Sequence, residues 1–102
     1  MTQSFGFECR LLCTFRGHQD TVISLAFNPR DGEYFLSGSE DKTVKKWILP
    51  AEVYSTKTPK VMRQAKRTAA IHEKQVNCVR IAPAGKICAS ASQDKKIVVG
   101  WM

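Results

Sequence analysis

The feature that most restricts what this chain can become is an internal repeat. His18 recurs as His72, Val22 as Val76, Asp41 as Asp94 and Trp47 as Trp101, at offsets of 54, 54, 53 and 54 residues. The same outline joins the markers each time: a loop His, an apolar run, a turn, a Ser-containing run, a turn Asp and a terminal Trp. Such a period points to a repeat architecture, in which each unit buries its apolar face only against a neighbour.

The runs between turns are short and read as strands. Glu8 to Phe15 places Leu11 and Cys13 on one face and Leu12 and Thr14 on the other. In Val22 to Phe27, Leu25 and Phe27 alternate while Val22 is out of phase, which predicts a bulge or strong twist near the strand's start. Asn28 to Gly32 is a turn, because Pro29 removes a ladder donor and Gly32 accepts positive φ. Tyr34 to Gly38 and Thr43 to Ile48 follow, separated by the tight turn Glu40-Asp41-Lys42. Arg67 to Ile71, Val76 to Ile81, Lys86 to Ala91 and Ile97 to Trp101 then repeat the series. Helix signals are almost absent, so the expected class is all-β, built of short antiparallel strands. Residues 1–7 carry little pattern and are expected to be disordered.

The stretch from Leu49 to Lys66 breaks the rhythm. It holds Pro50, Pro59 and the polar run Ser55-Thr56-Lys57-Thr58, and reads as a long loop or insertion. Lys57, Lys60, Arg63, Lys66 and Arg67 face a single acid there, Glu52. The whole chain carries a net charge of +7, which favours an anionic partner such as nucleic acid and equally suits solubility.

At 102 residues, 43% apolar and 25% charged, the chain is bounded to one small globular domain rather than wholesale disorder. Cys9, Cys13, Cys78 and Cys88 form neither a C-x-x-C pair nor a zinc spacing, so reduced thiols are expected, with no metal and no cofactor. No apolar run approaches the ~18 residues that span a bilayer. The N-terminus lacks a basic segment followed by an apolar core. The expected location is nuclear or cytosolic, with no membrane partner.

Gly17-His18 and Ser37-Gly38-Ser39-Glu40-Asp41-Lys42-Thr43-Val44-Lys45-Lys46-Trp47 resemble a WD40 repeat, the unit of a β-propeller blade. The resemblance implies antiparallel four-stranded blades, each repeat supplying the outer strand of one blade and three inner strands of the next. It divides the chain into a first repeat at 8–48, a basic loop at 49–66 and a second repeat at 67–102 whose outer strand is missing. Propellers close with about four to eight blades. Two repeats make an incomplete propeller, either part of a longer one or completed by other copies.

The resemblance also implies a buried structural network in which the loop His bonds a strand Ser and the turn Asp, and the Ser bonds the Trp indole. The matching sets are His18, Ser37 (or Ser39), Asp41 and Trp47, then His72, Ser90 (or Ser92), Asp94 and Trp101. Their donor and acceptor capacities fit such a chain. The pattern departs from the family in three ways. No Asp follows either Trp, Ile71 replaces the Gly before His72, and Asp94 to Trp101 is one residue longer than Asp41 to Trp47, with Gly100 as the insertion. One extra residue reverses side-chain direction in a strand, so Trp101 need not face His72.

A His/Ser/Asp set also invites a hydrolase reading. Catalysis needs an exposed Ser on a strained turn beside an oxyanion hole, whereas both sets here recur at the repeat offset as structural residues do. No catalytic residue is expected. Phe35 to Pro50, the basic insertion and Arg67 to Asn77 are further similar to the tandem-propeller, U3-associated family of transducin-beta-like proteins. That similarity implies a scaffold of the small-subunit processome, in the nucleolus, with other proteins of a large assembly and pre-ribosomal RNA or the U3 particle as partners. Lys57, Lys60, Arg63, Lys66 and Arg67 are then candidates for RNA contact. The alternatives are a peptide-binding adaptor using the top-face positions Gln19, Asp20, Lys42, Lys74, Gln75 and Lys95, or a propeller segment with no independent activity.

Overall fold

The computed structural model describes residues 11–55 and 58–101. The expectations for residues 1–7, for the start of the Glu8–Phe15 strand, and for Cys9, Lys57 and Met102 lie outside the described residues. Three sheets are present among the described residues. Strands β2 (Val22–Phe27), β3 (Tyr34–Ser39), β4 (Val44–Ile48) and β6 (Arg67–Ala69) form a four-stranded antiparallel sheet in that order. Strands β7 (Val76–Ile81), β8 (Ile87–Ser92) and β9 (Ile97–Trp101) form a three-stranded antiparallel sheet that repeats the first three. Strands β1 (Cys13–Phe15) and β5 (Lys60–Met62) pair in parallel.

The phase break at Val22 corresponds to a register shift between Val22 and Ser24, and the second repeat carries its counterpart between Val76 and Cys78. The turns close as their residues dictate. Gly32 and Gly85 adopt φ of +68° and +74°, a region that is nearly free only to glycine. The Asp turns are less obvious, for Lys42 and Lys95 take φ of +75° and +72° at the same position of each repeat.

The main core lies between the two larger sheets. Leu36 and Val44 of the first meet Val76 and Val79 of the second, with Ala26, Ile81 and Cys88 packed around them. Fully burying such side chains stabilises by roughly 1.5–3 kcal/mol each. A Cβ on Gly38 would fall 2.6 Å from Val76 Cγ1, so the sheets approach where the chain has no side chain. Among the described residues, two bonds cross the interface: the Val79 N–H donates to Ser24 Oγ at 3.2 Å, and the Tyr34 hydroxyl to the Gly85 carbonyl at 2.6 Å. On the far face of the first sheet, Phe15 of β1 packs edge-on against Phe35 and Trp47, with ring centroids 4.9 and 5.4 Å apart.

Four expectations are corrected. Among the described residues, the strand read from Glu8 to Phe15 is regular only over Cys13–Phe15, and that read from Arg67 to Ile71 only over Arg67–Ala69. The 49–66 stretch is more than a loop: it contains a short 3-10 helix at Ala51–Tyr54, which buries Val53, and the strand β5. Pro50, at φ −63°, starts that helix. Finally, not every pairing is antiparallel. Lys60 to Met62 run parallel to Cys13 to Phe15 and satisfy an edge that would otherwise be open. Three residues are too few for a periodic pattern to announce a strand.

Candidate functional site

In the first repeat, His18 leaves the loop before β2 and reaches the Asp41 turn and the middle of β3. His18 Nδ1 lies 2.8 Å from Asp41 Oδ2, and its Nε2 faces Ser37 Oγ. An ionised carboxylate only accepts, so Nδ1 carries the proton and Ser37 donates to Nε2. Trp47 completes the chain, its indole N–H donating to Ser37 Oγ at 2.8 Å. Trp47 is 2% exposed.

Asp41 also accepts from the Gln19 and Thr43 amides and the Thr43 hydroxyl. Burial alone would raise its pKa, but the bonds from Thr43, His18 and Gln19 outweigh burial and hold the carboxyl well below its usual range. Thr43 is a member that sequence reading missed; its signal was a hydroxyl two residues after the turn Asp. Ser39 has a separate role, donating to the Thr21 carbonyl at 2.8 Å and accepting the Asp41 amide at 3.0 Å.

The second repeat repeats the His, Ser and Asp contacts, but Lys96 stands at the Thr43 position and bonds Asp94 through its amide alone. His72 Nδ1 lies 3.0 Å from Asp94 Oδ2, and Nε2 lies 2.7 Å from Ser90 Oγ. Ser92 bonds the Gln75 carbonyl and the Asp94 amide as Ser39 does in the first repeat. Burial again pushes the Asp94 carboxyl up, and bonds from the Glu73 amide, His72 and the Lys96 amide bring it down to about 2. Trp101 stands apart from this network, at 80% exposed. The pairing register gives the reason. Phe35 pairs with Trp47 two residues before Ser37; Cys88, two before Ser90, pairs with Gly100. Gly100 therefore holds the Trp47 position, and Trp101 holds that of Ile48 on the opposite face.

These networks do not present a nucleophile. Ser37 and Ser90 are buried, and each hydroxyl proton is committed to its His.

The top-face candidates do gather at one end of the sheets. Gln19, Asp20 and Lys42 belong to the first loop and turn, and Lys74, Gln75 and Lys95 to the second. Five are exposed; Gln75 is half-buried and bonds Asn77. Asp20 accepts the Thr21 amide at 2.8 Å.

The basic candidates separate into two groups. Lys60 sits in β5 and pairs with Glu52 at 3.1 Å, while the Arg63 carbonyl lies near Gly17. Lys66 and Arg67 lie elsewhere, alongside Lys46 of β4, whose carbonyl accepts the Lys66 amide at 2.8 Å. These three line a groove of about 430 Å³ between the sheets, and Trp101 lines it too. Sequence reading missed Lys46. Only the strand pairing and the packing of the sheets bring Lys46 and Trp101 to that groove.

Residues 9–47 and 64–99 match the WD domain, G-beta repeat family. The chain belongs to the WD40 family. Human Transducin beta-like protein 3 is 35% identical over 83 residues, covering 78% of this chain and 10% of that protein. U3 small nucleolar RNA-associated protein 13 of Saccharomyces cerevisiae is 36% identical over 63 residues, 62% of this chain and 8% of its own length. Nuclear distribution protein nudF of Emericella nidulans is 38% identical over 74 residues, 72% of this chain and 14% of its own. The chain thus spans only about a tenth of the curated relatives it matches. A solved structure of Chaetomium thermophilum Polycomb Repressive Complex 2 bound to GSK126 superposes with a TM-score of 0.71 at 26% identity, covering 86% of this chain and 20% of the matched chain. The four-stranded sheet is a WD40 blade and the three-stranded sheet the inner strands of another, so this is an incomplete propeller.

Proposed function

We propose that this WD40 chain is a nonenzymatic scaffold segment of small-subunit ribosome biogenesis, working in the nucleolus on 18S pre-ribosomal RNA with proteins of the U3 particle. The observation that carries this reading is the pair of relatives named as Transducin beta-like protein 3 and a U3 small nucleolar RNA-associated protein. The groove supports direct RNA contact: Lys46, Lys66 and Arg67 supply cations for phosphates. Lys60 is partly neutralised by Glu52 and contributes less.

RNA affinity measured across a salt series tests the groove. Changing Lys46, Lys66 and Arg67 to Ala should weaken binding and lower the salt slope by about 1 for each phosphate that is no longer neutralised. Changing Lys60 and Arg63 should do less. Equal affinities in all three proteins would remove RNA from the proposal.

A protein-binding reading keeps a specific support. The first blade leaves Leu25 and Phe27 exposed on one side, and the last strands leave Ile97 and Val99 exposed on the other. We assign these faces to further blades or to other copies of the chain, completing the propeller around the loop end that holds Gln19 and Lys74. Light scattering over a concentration series separates the two: defined oligomers mean self-completion, a monomer means further blades.

A further inference from the structure

We propose that the second repeat holds an open receptor for an indole ring, and that its occupant is a tryptophan side chain of a partner polypeptide. The first repeat shows what such a site looks like when filled. There Trp47 lies between Phe15, Phe35 and Gly17, with its N–H on Ser37. The equivalent positions of the second repeat, counted from His72 and Ser90, are Ala69, Cys88 and Ile71, with Gly100 in place of the Trp. Three large rings have become small residues.

The result is a cavity of about 200 Å³ lined by Ala69, Ile71, Cys88, Ser90 and Gly100, and closed from the first blade by Leu36 and Val44. A dry apolar cavity of roughly 150 Å³ accepts benzene, so the space suits a somewhat larger ring. A Cβ on Gly100 would meet nothing within 4 Å. Ile71 is the one enlargement. A Cβ on Gly17 would lie 2.7 Å from Trp47 Cη2, so a side chain before the His is compatible only with a repeat that lacks its own Trp.

The polar group in this site selects the ligand. Ser90 donates to His72 Nε2, because Asp94 fixes the proton on Nδ1, and its remaining lone pair is where Ser37 accepts the Trp47 N–H. Burial raises the Cys88 pKa, keeping that wall neutral. One acceptor in an apolar slot matches an indole, whose only polar atom is a donor. A purine would bury several ring nitrogens with nothing to bond them. The cavity and the basic groove share Leu36, Val44, Ala69, Cys88 and Trp101, so Lys46, Lys66 and Arg67 stand at its approach and favour a tryptophan flanked by carboxylates.

The test is calorimetric titration of the full chain with a capped pentapeptide carrying Trp between acidic residues. Comparison peptides carry Ala or naphthylalanine at the centre, and AMP is titrated separately. The Trp peptide should bind well above the Ala peptide. Ser90→Ala should weaken the Trp peptide about two- to tenfold, one neutral hydrogen bond's worth, and leave the naphthylalanine peptide unchanged, which also reports that the variant is folded. The pair Ile71→Gly with Gly100→Trp should fill the slot from within and abolish Trp-peptide binding. Equal binding of the Trp and Ala peptides overturns the proposal. So does unchanged binding to the filled variant, or AMP binding that the filled variant loses while the Trp peptide never bound. Ser90→Ala and the filled variant keep the groove cations in place, so Trp-peptide binding and RNA affinity are read separately and the two readings fail separately.

Discussion

The two repeats hold the same His, Ser and Asp in the same bonds, yet only the first seats an aromatic ring on its serine. In the first, Trp47 is 2% exposed and accompanied by Phe15 and Phe35; in the second, Gly100 occupies that place and Trp101 is 80% exposed. The hydrogen-bonded chain is therefore separable from the aromatic packing that accompanies it. His72, Ser90 and Asp94 form their bonds without an indole, because the loop and turn that bring them together close through Ser92 and backbone bonds.

The largest test of that contrast is to remove each Trp. Trp47→Ala should cost about 3–5 kcal/mol in urea unfolding, as a buried aromatic truncation does, whereas Trp101→Ala should stay within about 0.5 kcal/mol. Comparable losses would mean that Trp101 is packed after all. Next comes the residue before the His. Gly17→Ala should destabilise by about 1–3 kcal/mol, since its Cβ would press on the buried Trp47. Exposed Ile71→Ala should cost less, and a reversed order would break the correspondence drawn between the two positions.

Acid distinguishes the repeats more finely. A carboxylate whose folded pKa is lowered stabilises the fold above its unfolded value of about 3.9 and ceases to do so as pH falls through the folded value. For Asp94 that loss spans about pH 4 to about 2, and for Asp41 it extends lower. Hydrogen exchange should then expose the Glu73 amide, which Asp94 accepts, at a higher pH than the Gln19 amide on Asp41. Simultaneous loss would mean one cooperative transition for both turns.

The smallest effect should be equal in both repeats. Lys42→Gly and Lys95→Gly relieve the same positive φ and should each stabilise by about 1 kcal/mol or less, after the entropy that glycine loses on folding. Unequal gains in thermal unfolding would show that the turns differ despite their shared bonds.

Much of this was legible in the sequence. The offset of His18 and His72, the alternation of Leu25 and Phe27 and the Asp turns are local signals, and local backbone preference carries them into strands and turns. The Val22 phase break even marked the bulge. Less legible were β5 and the helix at Ala51–Tyr54, for three or four residues show no period and gain their order from a neighbour. The basic candidates were found by composition, but their division into Lys60 with Glu52 and Lys66 with Arg67 depends on which strand each joins.

By itself the sequence determined the repeat and its short strands, because these follow from residue type at fixed spacing, and its resemblance to a WD40 repeat implied the blade architecture and the His–Ser–Asp constellations. Only the tertiary structure decided that the last strand holds no inserted residue at Gly100. It placed Gly100 opposite Cys88, turned Trp101 outward and left a cavity against Leu36 and Val44. The physical reason is that a strand's spacing fixes only which side chains alternate. What fills the space beside them depends on pairing register and on a second sheet, contributed by residues distant in the chain.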